Sequence, residues 1–249
     1  MNNATSSFSS CVSERTILFQ ALLAALLSVT FAANAQASGD LQQKVAALKQ
    51  SAADNQQKLH QYQWIETSQL TLNGDTKPAT QSLCQYGPDG KVQKTPIGPP
   101  QQPQAPSGGR LKQKVVAKKK EEMKDYMGQV KTLLAMYVPP DPQRIQQAFQ
   151  SGKASLNATA GTGTAGIVLK DYAQPGDQMT VSFNTAEKKI SALNVNSYLD
   201  DPKDTVTLAV KFASLPDSTN YVQQSILNAT AKKLHVTTTS SDYHPLAAH

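Results

Sequence analysis

Cysteine is scarce: Cys11 and Cys84 are the two in 249 residues. That excludes a disulfide-stapled scaffold. No Cys-x-x-Cys and no His-Glu-x-x-His occurs, so the usual spacings of zinc ligands are missing. There is no Gly-x-Ser-x-Gly elbow for a nucleophilic serine. The Gly/Thr-rich stretch from Ala160 to Gly166, expected to be a loop or bulged connection, lacks the Lys-Ser/Thr ending of a phosphate loop and leads into strand-like sequence. Glycine has no three-residue period and the chain no 20-to-50-residue repeat, which excludes collagen and solenoids. A mean hydropathy of −0.42 is too polar for a polytopic membrane protein. A hydrophobic share of 39% is too high for a disordered chain.

One long apolar run is present. It extends from Thr16 to Ala33, follows Arg15, and ends in Ala33-Asn34-Ala35. An apolar segment closed by small residues is the pattern of a secretory signal peptide, with cleavage expected before Gln36. The alternative is an uncleaved anchor, but the run is somewhat short of the ~20 residues a span needs. The expected product is exported, periplasmic or extracellular, and keeps Cys84 as its single thiol. Leu83 and Tyr86 flank Cys84 in strand-like sequence, so a small buried side chain is expected there rather than a reactive thiol.

Periodicity then sets the elements. Residues 40–59 carry Leu41, Val45, Leu48, Ala52 and Leu59 at helical spacing behind the candidate cap Asp40. Trp64, Ile65, Thr67 and Leu72 are strand formers, and Asn73-Gly74-Asp75 signals a hairpin turn. Strands are expected over residues 80–86 and from Lys91, separated by Gly87-Pro88-Asp89-Gly90. Five prolines within residues 96–109 read as an extended Pro/Gln-rich linker. Residues 110–137 form a second helical stretch, ended by Pro139-Pro140. Asp141 and Pro142 open a third helix with Ile145, Ala148 and Phe149 on one face. From Ala154 on, apolar and polar residues alternate, as in Met179, Val181, Phe183 and in Leu208, Val210, Phe212. Strict alternation marks strands with one buried face. About six strands are expected there. The fold class is α+β: a large antiparallel sheet with an N-terminal helix and an inserted helical pair (residues 110–151) on one face, in a single domain spanning 36–249.

Three candidate sites follow. The helical stretch from Arg110 contains eight cations against Glu121, Glu122 and Asp125, a local +5 in a chain of net +6. Lys112, Lys114, Lys118, Lys119, Lys120 and Lys124 are its candidate anionic-surface residues. No aromatics interleave the lysines, and nucleic acid is not the expected partner. An anionic membrane surface or an envelope protein is. The second candidate is a ligand-binding face between sheet and helices. Trp64, Met179, Val181, Phe183, Leu208, Val210 and Phe212 would line it, with Met123 and Met127 above. The competing reading is that these residues pack as ordinary core. The third, His235 with Asp242, His244 and His249, reaches a metal-ligand set only if strand and tail fold back. No catalytic residue, metal or cofactor is expected.

The order of these elements resembles that of bacterial envelope lipoprotein carriers and related sensors, the half-barrel family of the periplasmic lipoprotein-localisation chaperone. The resemblance is one of architecture over most of the chain after residue 35. It implies an open half-barrel sheet and a helical lid sheltering acyl chains. The proline linker and basic helix depart from that pattern, and no functional residue carries over individually. The function expected is non-enzymatic binding of an apolar or lipid-like ligand. The alternative is an envelope interaction module using the proline linker and basic helix.

Overall fold

A computed structural model of the chain describes residues 53–98, 110–138, 140–159, 163–187 and 189–246. The expected signal peptide, the first part of the N-terminal helix and residues 99–109 of the linker lie outside these. Residues 53–59 form α1. It leads into β1 (Tyr62–Leu72), β2 (Asp75–Thr76), β3 (Thr80–Tyr86) and β4 (Val92–Ile97). Then come α2 (Arg110–Leu134) and α3 (Pro142–Gln150). Seven strands complete the chain: β5 (Ala154–Thr159), β6 (Thr164–Lys170), β7 (Gln178–Asn184), β8 (Lys189–Tyr198), β9 (Thr205–Ser214), β10 (Asn220–Ala229) and β11 (Leu234–Pro245).

All the strands join one antiparallel sheet in the order β4-β3-β1-β11-β10-β9-β8-β7-β6-β5, with β2 hairpinned onto β1. The sheet is not closed, and β4 and β5 are its edges. The fold class is therefore the expected α+β with a large antiparallel sheet. Two local expectations are corrected. The linker does not begin at Pro96: Pro96 and Ile97 pair with Ser82 and Gln81 in β4. An edge strand tolerates proline because one side of its ladder is free. Thr164 to Gly166 are likewise not loop but the start of β6, paired on both sides.

Local chemistry sets the turns. Asn73 (φ 54°) and Gly74 (φ 83°) both adopt the left-handed region between the paired Leu72 and Asp75. That is the two-residue turn whose twist suits a hairpin. The Asp141 side chain caps α3 by accepting from Gln143 N at 2.8 Å, and Pro142 fills the first helical position. Gly152 (φ 70°) ends α3, and Lys153 N reaches back to Ala148 O at 2.8 Å.

The helices pack through their apolar stripes. Tyr126, Met127, Val130, Leu133, Leu134 and Tyr137 lie against β6–β11 in one buried cluster, joined by Ile145 and Ala148 of α3. A buried polar anchor fixes this packing. The Asp177 carboxylate accepts the backbone N–H groups of Tyr172 (2.6 Å), Ala173 (2.9 Å) and Gln174 (2.8 Å). Tyr137 Oη donates to the same carboxylate and contacts Ser197 Oγ at 2.7 Å. Burial and the Asp177 hydrogen bond both hold the Tyr137 phenol above its usual range. The β6–β7 loop and the end of α2 are thus held by one side chain. Asp177→Ala orphans the loop N–H groups and the tyrosine hydroxyl, at a cost of about 3 kcal/mol. Urea denaturation should show that loss as a lower midpoint with an unchanged slope.

Candidate functional site on the inner face

Register places one continuous set of side chains on the buried face of the sheet. Cys84 lies opposite Trp64 and Lys94. Leu70 lies opposite Val236, Val236 opposite Leu227, and Leu227 opposite Leu208. Leu208 continues to Val195, Val195 to Met179, and Met179 to Leu169. Every strand from β4 to β5 contributes to this face, because a period of two keeps each strand's inward set in line with its neighbour's.

The face has two apolar parts. Met179, Val181, Phe183, Leu208, Val210 and Phe212 fall in the larger cluster together with Met127, and Met123 packs partly buried against it. These expected ligand-lining residues are brought together, and α2 fills the space above them. Trp64 is elsewhere, in a second cluster with Leu59, Cys84, Tyr86 and Val92. β11 pairs with β10 only from Leu234 to Thr239, whereas its C-terminal half pairs with β1. Tyr221 and Tyr243 pack at the seam so formed, with ring centroids 4.4 Å apart, and Tyr243 stacks on Trp64 at 5.4 Å. Asn55 of α1 exchanges two hydrogen bonds with the Asn220 backbone and ties the helix across the seam.

Between the apolar parts lies a polar band that periodicity did not single out. Glu66, 4% exposed, takes a 2.6 Å hydrogen bond from Lys94 Nζ through Oε1. Ser68 Oγ donates weakly to the same oxygen at 3.5 Å. Ser225, Thr238 and Ser240 are also buried. The second carboxylate oxygen, Oε2, is buried with no hydrogen-bond partner, as are Trp64 Nε1 and His60 Nε2. Orphaned buried polar atoms are uncommon and point to a partner of matching polarity. The available signal for Glu66 was its position two residues after Trp64, on the same strand face. Its partner Lys94 lies two strands away, where no local pattern reveals it.

The remaining candidates separate. Lys114, Lys118, Lys119, Lys120 and Lys124 are exposed along α2, while the Lys112 side chain lies outside the described residues. His235 is engaged by Asn228 Oδ1 at 2.6 Å and Thr237 Oγ1 at 3.0 Å. Asp242 and His244 are exposed on β11, and His249 lies outside the described residues. Among the described residues no three His, Cys, Asp or Glu side chains converge as a metal site. No helix among them is long and apolar enough to cross a membrane. Neither a protein-family model nor a curated protein matches this chain.

Two measurements test the face. Burial, and then the nearby Glu66 carboxylate, push the Cys84 thiol up to about 12. The thiolate is the nucleophile, so Cys84 should resist an aromatic disulfide reagent at about pH 8 until denaturant is added. Stoichiometric labelling of the native protein within minutes would contradict its burial. His60 stacks on Tyr86 at 4.4 Å, and burial holds its pKa below 6.5. The unfolded chain then binds the proton first. Stability is complete above about pH 6.5 and falls as pH drops through that value toward the folded pKa. His60→Gln should remove this component of the pH dependence of the urea midpoint.

Proposed function

We infer that this protein is an exported, non-enzymatic carrier that binds an apolar or lipid-like molecule on the inner face of its sheet. The helices α2 and α3 serve as the lid, and the basic helix faces an anionic surface. One observation carries the reading: an unclosed antiparallel sheet has a single continuous inner face, and the helices covering it are strung between its two edges. This is the arrangement that the resemblance to envelope lipoprotein carriers implies. The N-terminal apolar run with Ala33-Asn34-Ala35 supports export.

The geometry gives the lid a mode of action. Met127, Val130 and Leu134 occupy the ground above Met179, Val181 and Val210. An acyl chain binding there takes their place. Each buried methylene of such a chain gains ~0.8 kcal/mol, so a lipid tail can match the contacts that α2 gives up. The anchors that must yield are few. Tyr126 Oη donates to Asp204 at 2.8 Å, and Tyr137 bonds Asp177 and Ser197. A headgroup donor then has Glu66 Oε2 as an unused acceptor.

Native mass spectrometry of the chain from an exporting host, before and after organic extraction, tests the reading. The expected result is an extractable lipid-like mass. A fluorescent fatty acid added to the extracted protein should be taken up, with a rise in its emission. An unliganded mass together with no uptake of the fluorescent fatty acid would refute the carrier reading.

A further inference from the structure

The N-terminal half of α2 does not act as lid. Residues 113–122 are exposed at every position, and burial begins only with Met123, Tyr126 and Met127. A helix of 25 residues is ~37 Å long at 1.5 Å per residue, and close to half of it stands clear of the core. Helices are normally held by packing an apolar stripe. Here the stripe continues into solvent: Val115 is 55% and Val116 42% exposed.

We propose that residues 113–122 of α2 are an arm that docks this protein on an anionic lipid bilayer. Val115 and Val116 enter the headgroup boundary, and Lys119 and Lys120 meet the lipid phosphates. This deepens the anionic-surface part of the function inferred above and does not depend on the carrier part.

The distribution of charge around the arm supports this occupant. At about 100° per residue, Val115, Lys119, Val116 and Lys120 fall in order within an arc of about 140°. Glu121 and Asp125 project from the opposite side. Glu122 stands at the border beside Val115, and its carboxylate is drawn to Lys118 at 4.0 Å. Lys124 is paired with Glu121 at 3.5 Å. Lys114, Lys119 and Lys120 have no ion-pair partner among the described residues. Apolar and cationic groups thus share one face, Glu121 and Asp125 turn away from it, and Glu122 at its border is paired with Lys118, which is the division of an interfacial helix. A projecting rod offers no groove for a protein partner to fill, whereas a plane contacts one face and leaves Glu121 and Asp125 in water. The first turn also carries no acid to offset the positive end of the helix. Anionic headgroups supply the missing charge.

Co-sedimentation of the full chain with vesicles tests this. One set is pure phosphatidylcholine and the other contains phosphatidylglycerol at about a third of the lipid. An attraction of about 1 kcal/mol per lysine near an anionic surface corresponds to about fivefold per side chain. Lys119→Gln with Lys120→Gln should therefore lower partitioning onto the anionic vesicles about thirtyfold. Val115→Ser with Val116→Ser should lower it several-fold. Both variants should keep the parent's urea midpoint and its uptake of the fluorescent fatty acid. Equal binding to both vesicle types, or unchanged binding by both variants, would overturn the arm as the docking element. So would tighter binding to duplex DNA at the same salt. Fatty-acid uptake that persists in any of those cases leaves the carrier reading intact. An unliganded parent that takes up no fatty acid while docking obeys the lysines refutes the carrier alone.

Discussion

The pairing of β1 with β11 is the interaction on which the rest of the structure depends. Every other ladder among the described strands joins neighbours in sequence or strands separated only by the short β2. β1 and β11 instead bring Ser68 against Thr238, 170 residues apart. Their ladder runs from Leu72 opposite Leu234 to Tyr62 opposite Pro245, with one bulge. The entropy of closing so long a loop grows only slowly with its length. It is nonetheless concentrated in this ladder, because each remaining hairpin closes locally. The ladder also unites the short meander β1-β3-β4 with the longer one from β5 to β11. Without it, two smaller sheets would each expose an apolar face.

That union creates the second constraint. The two edges of the sheet, β4 and β5, are consecutive in the chain apart from the helical insertion. The chain leaves β4 at one edge and re-enters β5 at the other, with α2 and α3 between them in sequence. Ten strands at ~4.8 Å spacing span ~43 Å, more than the packed half of α2 can cover. The inner face needs apolar cover, and the later part of α2 with α3 provides it over β6–β11. The polar band with Glu66 and Lys94 falls beyond the part of the face that α2 packs on. A paired charge pointing inward from edge strand β4, with Pro96 beside it, also discourages strand addition at that edge. Edge β5 carries no such device: its residues are neutral, and Leu156 is 59% exposed.

Much of this was legible in sequence, and the exceptions have physical reasons. Asn73-Gly74, Asp141-Pro142 and Gly152 impose backbone angles by themselves, so their turns and caps sit where residue chemistry put them. Alternation in β7 and β9 is strict because each strand has one wet face and one dry. β10 is less regular, since a shift between Val222 and Gln224 breaks its period of two. Pro96 reads as linker because proline ordinarily ends a strand, and only tertiary position made it an edge residue. Glu66 and Lys94 were hidden for a related reason. Burial of a carboxylate is set by a partner strand, and local patterns treat glutamate as surface. The seam at Tyr221 and Tyr243 depends on β11 parting from β10 and was not encoded in either strand alone.

The basic helix shows how one periodic pattern can serve two ends. Its apolar positions Leu111, Val115, Met123, Met127, Val130, Leu134 and Tyr137 keep helical spacing, with Lys119 interrupting the stripe. The body of the protein takes up only the later positions. The difference lies in what surrounds each apolar residue. Tyr126, Met127, Val130, Leu133 and Leu134 are densely spaced and can fill a wide contact. Val115 and Val116 stand alone among lysines, and burying Lys119 beside them against an apolar sheet would strand a charge at a cost of several kcal/mol. The helix therefore leaves the sheet where its lysines begin to interrupt the stripe. Its charge pattern sets the boundary between the packed half and the exposed one.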